Sequence, residues 1–297
     1  MQKKKRIVDK AVIRPARHED TEELMAMLHE MDSGDYLQET WPVWMKGKEN
    51  LQIVALVGGR IAGCIHGRIS AGEDAWAQGI RVSSDLRRRG IATQLIMSLE
   101  EELRGKGAKT VFGVISRFNR ASLATVAGLK WEIIFPVNRR RLKTVVSGCI
   151  SDSEGKISNR SSTEISEINR LMCMKGVPAS RRAAAFFKRI YFSMTEDFLS
   201  ASHSSGLLRT NTLPQAVAVL DAEPYKNKEF WVIALAGAVT GLLSIFESMK
   251  AEAGRKGFDI IVDSPQDPAV QALLDYIGFM PSGIHEQYLV VKKHLIF

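Results

Sequence analysis

The stretch IRVSSDLRRRGIATQLIMSLEEEL, residues 80–103, joins a β-branched segment to a helix through the triplet Arg87, Arg88 and Arg89. Its apolar side chains recur at helical spacing, at Ala92, Ile96, Leu99 and Leu103. Unpaired N–H groups and the helix dipole attract anions to such a helix start. The triplet alone could bind nucleic acid, could bind the phosphates of a small cofactor, or could be part of a solvated turn. Because strand end, Gly90, cations and helix start coincide, the stretch favours a phosphate-binding loop.

The first half of the chain alternates strands and helices around this loop. Two strands flank the Gly58–Gly59 turn, a strong hairpin signal. The predicted elements are strand 11–16, helix 18–31, a helical segment 34–45 interrupted by Pro42, strands 51–57 and 60–70, strand 75–82, a helix from about Gly90 to Arg104, strand 110–115, helix 119–128 and two strands within 131–146. The order β-α-α-β-β-β-α-β-α-β predicts an α/β fold whose central helix joins parallel strands.

Alternation along the central strands predicts which side chains share a face. In the second hairpin strand, Cys64, His66 and Arg68 are expected on one face and the isoleucines on the other. In the strand AWAQGIRV, the same period of two places Trp76, Gln78, Ile80 and Val82 on a common face. His66 is expected near the level of Gln78.

Composition sets the outer limits on function. Hydrophobic residues make up 45% of the 297 residues and charged residues 25%, which is typical of a soluble globular protein. No apolar run approaches the roughly 20 residues that span a bilayer, and the basic start lacks the apolar core of a signal peptide. Three scattered cysteines predict neither a disulfide framework nor a metal site and favour the cytoplasm. The net charge of +8 does not choose among nucleic acid, membrane and phosphate-rich ligands.

The loop and its context resemble the GNAT acyltransferase superfamily. The family pattern Q/R-x-x-G-x-G/A is met by residues 87–92, and IRPARHEDTEELMAML resembles the family's opening strand and helix. The resemblance covers about residues 11–145 and implies a mixed, centrally split, twisted sheet flanked by helices. It also implies acetyl-CoA as acyl donor. The implied cofactor-binding residues are Ile80, Arg81, Val82, Arg87, Arg88, Arg89, Gly90, Ile91, Ala92, Thr93 and Asn119.

Two departures from the family pattern leave proton transfer unassigned. Val126 lies near the place of the family's thiolate-protonating tyrosine, and the strand before the loop carries Trp76 and Gln78 where many members have a glutamate. The candidate catalytic residues are His66, Glu73 and Tyr36. A polar-face histidine and a solvated turn explain the first two residues more simply, and core packing explains the tryptophans beside Tyr36 equally well. A water relay or a neutral acceptor amine would make an enzymic base unnecessary.

The second half resembles a degenerate copy of the first. Residues 230–283 repeat the strand-loop-helix-strand-helix order, with Leu242, Ile245, Phe246 and Met249 at helical spacing, but AGAVTGLL contains no arginine. We expect a first domain at residues 1–147, a linker at 148–166 and a degenerate domain at 167–297 that cannot hold CoA. Its basic segment SRRAAAFFKRIYF is predicted to be helical, with a solvated cationic face favoured over a nucleic-acid surface. The cations are Arg181, Arg182, Lys188 and Arg189.

The resemblance implies an acyl-CoA-dependent N-acyltransferase that moves an acetyl group to the amine of a small molecule or amino acid. The alternative is a non-catalytic acyl-CoA-binding or sensing protein, which the missing tyrosine and glutamate would explain. A nucleic-acid partner is not expected, because no helix-turn-helix, zinc or RNA-binding signature accompanies the charge. We expect no membrane partner, and a monomer or homodimer.

Overall fold

The computed structural model describes residues 11–69, 73–144, 184–187, 190–193, 208–210, 216–220, 228–266, 268–281 and 287–295. The chain divides into two compact units built from discontinuous segments. The first unit comprises residues 1–113, 121–132 and 292–297, and the second comprises residues 114–120 and 133–291. The predicted linker 148–166 lies outside the described residues and stays a prediction. No helix within the described ranges is long and apolar enough to cross a membrane.

The first unit follows the predicted order of elements. Its elements are β1 (Val12–Pro15), α1 (Asp20–Met31), α2 (Leu37–Trp44), β2 (Asn50–Val57), β3 (Arg60–Ile69), β4 (Asp74–Val82), α3 (Ile91–Gly105), β5 (Thr110–Ser116) and α4 (Arg120–Gly128). Strands β1 to β4 pair antiparallel in chain order, and β5 lies parallel to β4. Gly58 and Gly59 both have positive φ, as the tight β2–β3 turn requires.

Helices cover the two faces of this sheet. On one face, Leu24 and Leu28 of α1 and Trp41 of α2 are fully buried together with Cys64 of β3. On the other face α3 lies so close to β3 that a Cβ atom at Gly67 would be 2.4 Å from a methyl group of Leu99. From Gly63 onward, the odd residues of β3 therefore face α3, and the even residues, including His66, face α1 and α2.

The last residues of the chain complete the first unit. Glu100 of α3 is buried and accepts hydrogen bonds from the Trp131 indole N–H at 2.8 Å and from Lys293 Nζ at 2.5 Å. The backbone N–H of Leu295 donates to the carbonyl oxygen of Lys109 at 2.8 Å. Residues far apart in sequence thus share one buried carboxylate.

The second unit repeats the strand-helix-strand-helix order. Its elements are β6 (Glu132–Leu142), β7 (Ala184–Phe187), β8 (Ile190–Ser193), β9 (Leu208–Thr210), β10 (Ala216–Leu220), β11 (Glu229–Gly237), α5 (Val239–Lys256), β12 (Asp259–Pro265), α6 (Pro268–Ile277), β13 (Met280–Pro281) and β14 (Gln287–His294). Strands β11 and β12 are parallel, and β6 pairs antiparallel with β12. The predicted stripe of α5 is buried, with Leu242 and Phe246 at 2% and 0% exposure.

Two predictions of secondary structure are wrong. Residues 132–142 form the single strand β6 instead of two strands, because Pro136 lies just beyond the last pair with β12, Val137–Pro265, and its missing N–H costs no bond in that ladder. Within SRRAAAFFKRIYF, β7 and β8 pair antiparallel in place of the predicted helix. The aromatic and β-branched residues of this segment favour strands. Its four cations, Arg181, Arg182, Lys188 and Arg189, lie outside the described residues.

Candidate functional site

A bulge interrupts β4 at the centre of the first unit. His66 pairs with Gln78 and Cys64 with Arg81, so Gly79 and Ile80 together oppose the single residue Ile65. Gly79 has φ +67°, and a Cβ atom there would lie 3.0 Å from a methyl group of Leu37 in α2. Glycine is therefore required by both backbone conformation and space.

The bulge changes which side chains share a face of β4. Because Gln78 pairs with His66 and Arg81 with Cys64, Gln78 and Arg81 share the face toward α1 and α2. Val82 pairs with Gly63 on the opposite face. The expectation that Trp76, Gln78, Ile80 and Val82 form one face is wrong, since the extra residue shifts the alternation after Gln78.

The pairing of β4 with its parallel partner β5 stops before either strand ends, since β5 continues to Ser116 and β4 to Val82. The register joins Asp74, Ala75 and Trp76 to Thr110, Val111 and Phe112, and β4 then continues through residues 77–82. The bulge falls in this continuation. The backbone of β4 around Ile80 thus belongs to a stretch that an extended ligand can reach by strand-like hydrogen bonding.

The loop after β4 has a conformation suited to anions. Arg88 has φ 62° and Gly90 has φ 77°, so two left-handed residues flank Arg89. Successive backbone N–H groups in such a conformation form a concavity that binds anions. A left-handed conformation costs a non-glycine residue about 1–3 kcal/mol and is typical of functional loops.

The three arginines of this loop differ in their contacts. Arg87 Nε donates to the Val82 carbonyl oxygen at 3.3 Å, and an Arg89 guanidinium nitrogen donates to the Asp85 carbonyl oxygen at 3.2 Å. Arg88 is exposed and makes no hydrogen bond or ion pair within the described part of the chain. Arg87 and Arg89 therefore stabilise the loop, and the Arg88 guanidinium is available to contact an anion.

Helix α3 begins directly after the loop. Gly90 is its N-cap residue, and the Gly90 carbonyl oxygen accepts the N–H of Gln94 at 3.0 Å. The amides of Ile91, Ala92 and Thr93 have no partner within the helix by its geometry. The first turn carries no acidic side chain. The structure thus brings residues 87–93 together at one helix start, where a phosphate group fits.

Arg81 has a different side-chain environment from the loop arginines. Its Nε lies 2.5 Å from one carboxylate oxygen of the buried Asp35, and a second guanidinium nitrogen lies 3.1 Å from the other. Burial acts to lower the pKa of Arg81, but its hydrogen bonds to Asp35 and the Asp35 charge raise the pKa above its ordinary value. The Arg81 guanidinium also lies 5.6 Å from the Tyr36 ring. The Arg81 side chain therefore ties β4 to the start of α2.

Asp35 is a site residue that sequence reasoning missed. One of its carboxylate oxygens also accepts the N–H of Leu37 at 3.0 Å, as an aspartate near a helix start does. That capping signal was available, since the aspartate directly precedes the α2 segment. Its partner Arg81 lies 46 residues away, and no local pattern connects the two.

His66 is fully buried, and both of its ring nitrogens are hydrogen-bonded. Nε2 lies 3.0 Å from Asn50 Oδ1, Nδ1 lies 3.2 Å from the Gln78 amide nitrogen, and Trp44 stacks on the ring with centroids 3.8 Å apart. Burial, with a smaller contribution from the charge of Arg68, lowers the pKa of His66 to about 3. This environment favours a neutral, structural histidine over a general base.

The remaining predicted residues lie in different places. Glu73 is exposed, pairs with Lys109 at 2.6 Å and precedes β4. Gly79 lies six residue steps along the strand from Glu73, which is about 20 Å. Tyr36 is half-buried at the start of α2, edge-on to Trp44. Asn119 is exposed before α4 and falls in the second unit. None of these placements decides a catalytic role.

At the junction of β11 and α5, the described part of the second unit has no equivalent of the phosphate loop. Only Ala238 separates β11 from α5, and no arginine lies at this junction. The first turn of α5 therefore follows the strand directly, and the absence of CoA binding by this copy stays a prediction.

Comparison with known proteins supports the fold. The sequence model of the Acetyltransferase (GNAT) family matches residues 18–126. A GCN5-related N-acetyltransferase from Sphaerobacter thermophilus is 13% identical, with a TM-score of 0.60 over 96% of each chain. A tandem GNAT protein from the clavulanic acid biosynthesis pathway is 11% identical, with a TM-score of 0.57 over 97% of this chain and 99% of its own. At such identities the likeness shows the fold, and it confirms the predicted tandem arrangement. The comparison with curated proteins gives no match.

Proposed function

We propose that the protein is an acetyl-CoA-dependent N-acetyltransferase, because residues 18–126 match the sequence model of the Acetyltransferase (GNAT) family. Its acceptor would be the amine of a small molecule or amino acid. The observation that carries the proposal is the continuous path from the β4 bulge through the left-handed loop to the start of α3. Strand, anion-binding loop and helix start are the three parts needed to hold an extended thioester with a pyrophosphate.

The proposed cofactor site uses mainly backbone groups. The amides of residues 88–93 would hold the pyrophosphate, with the Arg88 guanidinium as an added cation. Backbone groups of Ile80 and Val82 would pair with the pantetheine arm. The Arg81 side chain would act indirectly, since its ion pair with Asp35 fixes the backbone next to the bulge.

The proposed reaction is direct transfer without an acyl-enzyme. The neutral amine attacks the thioester carbonyl carbon, a C–N bond forms, and the C–S bond breaks to release the CoA thiolate. A backbone N–H of β4 beside the bulge would stabilise the developing oxyanion. The proton of the attacking amine would pass to water, because His66 is bonded at both nitrogens and Glu73 lies far along the strand.

A non-catalytic acyl-CoA-binding protein is the second candidate. The observation that favours it is the lack of a residue suited to proton transfer. Both ring nitrogens of His66 are already hydrogen-bonded. Val126, near the place of the family's thiolate-protonating tyrosine, is a buried apolar residue of α4. Both candidates predict acetyl-CoA binding, and they differ only in turnover.

Two measurements separate the candidates. Titration calorimetry measures acetyl-CoA binding, and the release of free CoA thiol in the presence of an amine panel measures turnover. The panel contains the common amino acids, short peptides, polyamines and aromatic amines, and mass spectrometry identifies the acetylated product. We expect binding and thiol release that depends on one class of amine. Binding without transfer to any amine would leave the sensing protein, and no binding would exclude both candidates.

A further inference from the structure

Three polar side chains form a row across β2, β3 and β4 on the face toward α2. The Asn50 side-chain oxygen lies 3.0 Å from His66 Nε2, and the Gln78 amide nitrogen lies 3.2 Å from His66 Nδ1. Asn50 Oδ1 can only accept and the Gln78 amide nitrogen can only donate. His66 therefore carries its proton on Nε2 and accepts at Nδ1.

This tautomer fixes the orientation of the Gln78 side chain. Its NH2 group is directed to His66, so the carbonyl oxygen of the same planar amide lies on the other side. Within the described residues, nothing donates a hydrogen bond to Gln78 Oε1, although the side chain is only half-buried. The row thus ends in Gln78 Oε1, a hydrogen-bond acceptor with a fixed orientation and no donor among the described residues.

His66 is held on every side. Trp44 stacks on the His66 ring at an interplanar angle of 17°, and His66 is 0% exposed. The charged groups around it are paired, since Arg68 lies 3.8 Å from Glu49 and Arg81 is bound to Asp35. The imidazole stays neutral through the physiological range, so the Gln78 amide keeps one orientation there.

Gln78 lies where the proposed reaction takes place. It directly precedes Gly79 in the bulge and follows Trp76, the last β4 residue paired with β5, by two positions. Helix α2 closes over the same point, because Leu37 and Trp44 are the nearest side chains to Gly79. An acceptor that reaches the half-buried Gln78 side chain would meet its oxygen beside the thioester.

We infer that Gln78 Oε1 accepts a hydrogen bond from the acceptor nitrogen, and that the acceptor is a weakly basic α-amine. This inference rests on the proposed function. Gln78 is then a catalytic residue that orients the nucleophile, and His66 is a positioning residue that acts through Gln78.

The amine class follows from the charge of this face. A carboxamide oxygen orients an amine but cannot remove a proton from an ammonium group, and the Asp35 carboxylate is already neutralised by Arg81. The amine must therefore arrive neutral. With ordinary pKa values of about 8 and 10.4, about a fifth of an α-amine is neutral at pH 7.5, but only about a thousandth of a lysine ε-amine.

Two matched peptides test the amine class. One has a free α-amine and no lysine, and the other has a blocked amino terminus and one lysine. We expect kcat/KM for the α-amine peptide to be at least about 10-fold higher at pH 7.5. Preference for the lysine peptide, or transfer to neither peptide, overturns the inference. Failure of the proposed function looks different, because no amine of the wider panel is then acetylated.

Two glutamines provide matched variants for the role of Gln78. Gln52 and Gln78 both pair with His66 across the sheet, from opposite sides and on the same face, but only Gln78 is bonded to its ring. We expect Gln78→Leu to lower kcat/KM for the α-amine peptide by at least about 10-fold without changing acetyl-CoA affinity. Gln52→Leu should change either quantity by less than about 3-fold. Equal losses in the two variants, or a loss confined to acetyl-CoA affinity, contradict the assignment.

Gln78→Glu gives a second measurement that keeps the side-chain shape. A carboxylate accepts a proton as well as a hydrogen bond, so we expect kcat/KM to reach its plateau at lower pH and the preference for the α-amine peptide to narrow. An unchanged pH profile and an unchanged preference contradict the role of Gln78.

The role of His66 is tested through non-additivity. His66→Phe keeps a ring against Trp44 but loses both hydrogen bonds, and it should lower kcat while leaving the KM of acetyl-CoA unchanged. If His66 acts through Gln78, the double variant with Gln78→Leu falls no further than Gln78→Leu alone. Losses that multiply show that the two residues act independently and overturn the positioning role.

Discussion

The two units join a strand to a helix in different ways. In the first unit, the eight residues 83–90 separate β4 from α3 and contain three arginines and two left-handed residues. In the second unit, Ala238 alone separates β11 from α5. Both helices follow a central strand with a parallel partner. The order of strand, helix and parallel strand is therefore shared, and the two junctions differ in the loop to which we assign phosphate binding.

The units also differ in the ion pair beside the central strands. In the first unit, the Asp35 carboxylate is buried but the Arg81 side chain keeps 28% exposure. In the second unit, Arg139 and Asp263 are 6% and 1% exposed, and the Arg139 guanidinium lies 4.7 Å from the Trp231 ring and 4.8 Å from the Tyr288 ring. Side chains fill this part of the second unit, which suits a structural role.

The largest expected effect comes from breaking the buried pair of the second unit. Arg139→Met leaves the Asp263 carboxylate buried without its main partner, and we expect the free energy of unfolding to fall by about 3–5 kcal/mol. Chemical denaturation followed by circular dichroism measures the change. The double variant Arg139→Met with Asp263→Leu removes both charges and should recover most of the loss. A double variant as unstable as Arg139→Met would show that packing of the guanidinium matters more than the charge.

Reversing charge in the two junctions gives the next largest effect. Arg88→Glu with Gly90→Glu places two anions in the phosphate loop, and we expect acetyl-CoA affinity to fall at least about 100-fold, or about 2.7 kcal/mol. The control variant Ala238→Glu with Val239→Glu adds two carboxylates at the exposed start of α5 without removing a cation. It should change affinity by less than about 3-fold. Equal losses, or unchanged affinity in the first variant, would refute the assignment of the loop.

The stability of the first unit is also expected to depend on pH through His66. His66 has a folded-state pKa of about 3, below the value of about 6.5 expected in the unfolded chain. Its contribution to stability is complete above about pH 6.5 and is lost as the pH falls toward 3, by at most about 1.4 kcal/mol per pH unit. The difference in unfolding free energy between the parent protein and His66→Gln should therefore shrink across this range. A constant difference between pH 6.5 and 4 would show that the folded protein takes up a proton at His66 as readily as the unfolded chain does, so that the pKa is not lowered.

Much of the first unit is predictable from sequence because its signals are local. The Gly58–Gly59 turn, the stripes of α1 and α3, and the glycine-ended arginine triplet all act within a few residues, and the structure has each element where the pattern indicates it. The pairing level of His66 with Gln78 also follows from the hairpin. The loop and the hairpin are therefore predictable from the sequence, because each depends on residues that are close together in the chain.

The rest depends on contacts that no local pattern encodes. A lone glycine inside AWAQGIRV is a signal for a bulge, and without that interpretation the alternation in β4 gives the wrong face after Gln78. The pairs Asp35–Arg81 and Glu100–Lys293 join residues far apart in the chain. Pro136 favours a break in the strand, but it lies outside the residues of β6 that pair with β12, so it removes no hydrogen bond of that ladder.

The number of acetyl-CoA molecules bound per chain tests most directly the claim that one junction binds phosphate and the other does not. Isothermal titration of the full chain measures this number without any knowledge of the acceptor. The difference between the two junctions predicts one molecule per chain, and none in the Arg88→Glu with Gly90→Glu variant. Two molecules per chain, or one that persists in that variant, would contradict the account.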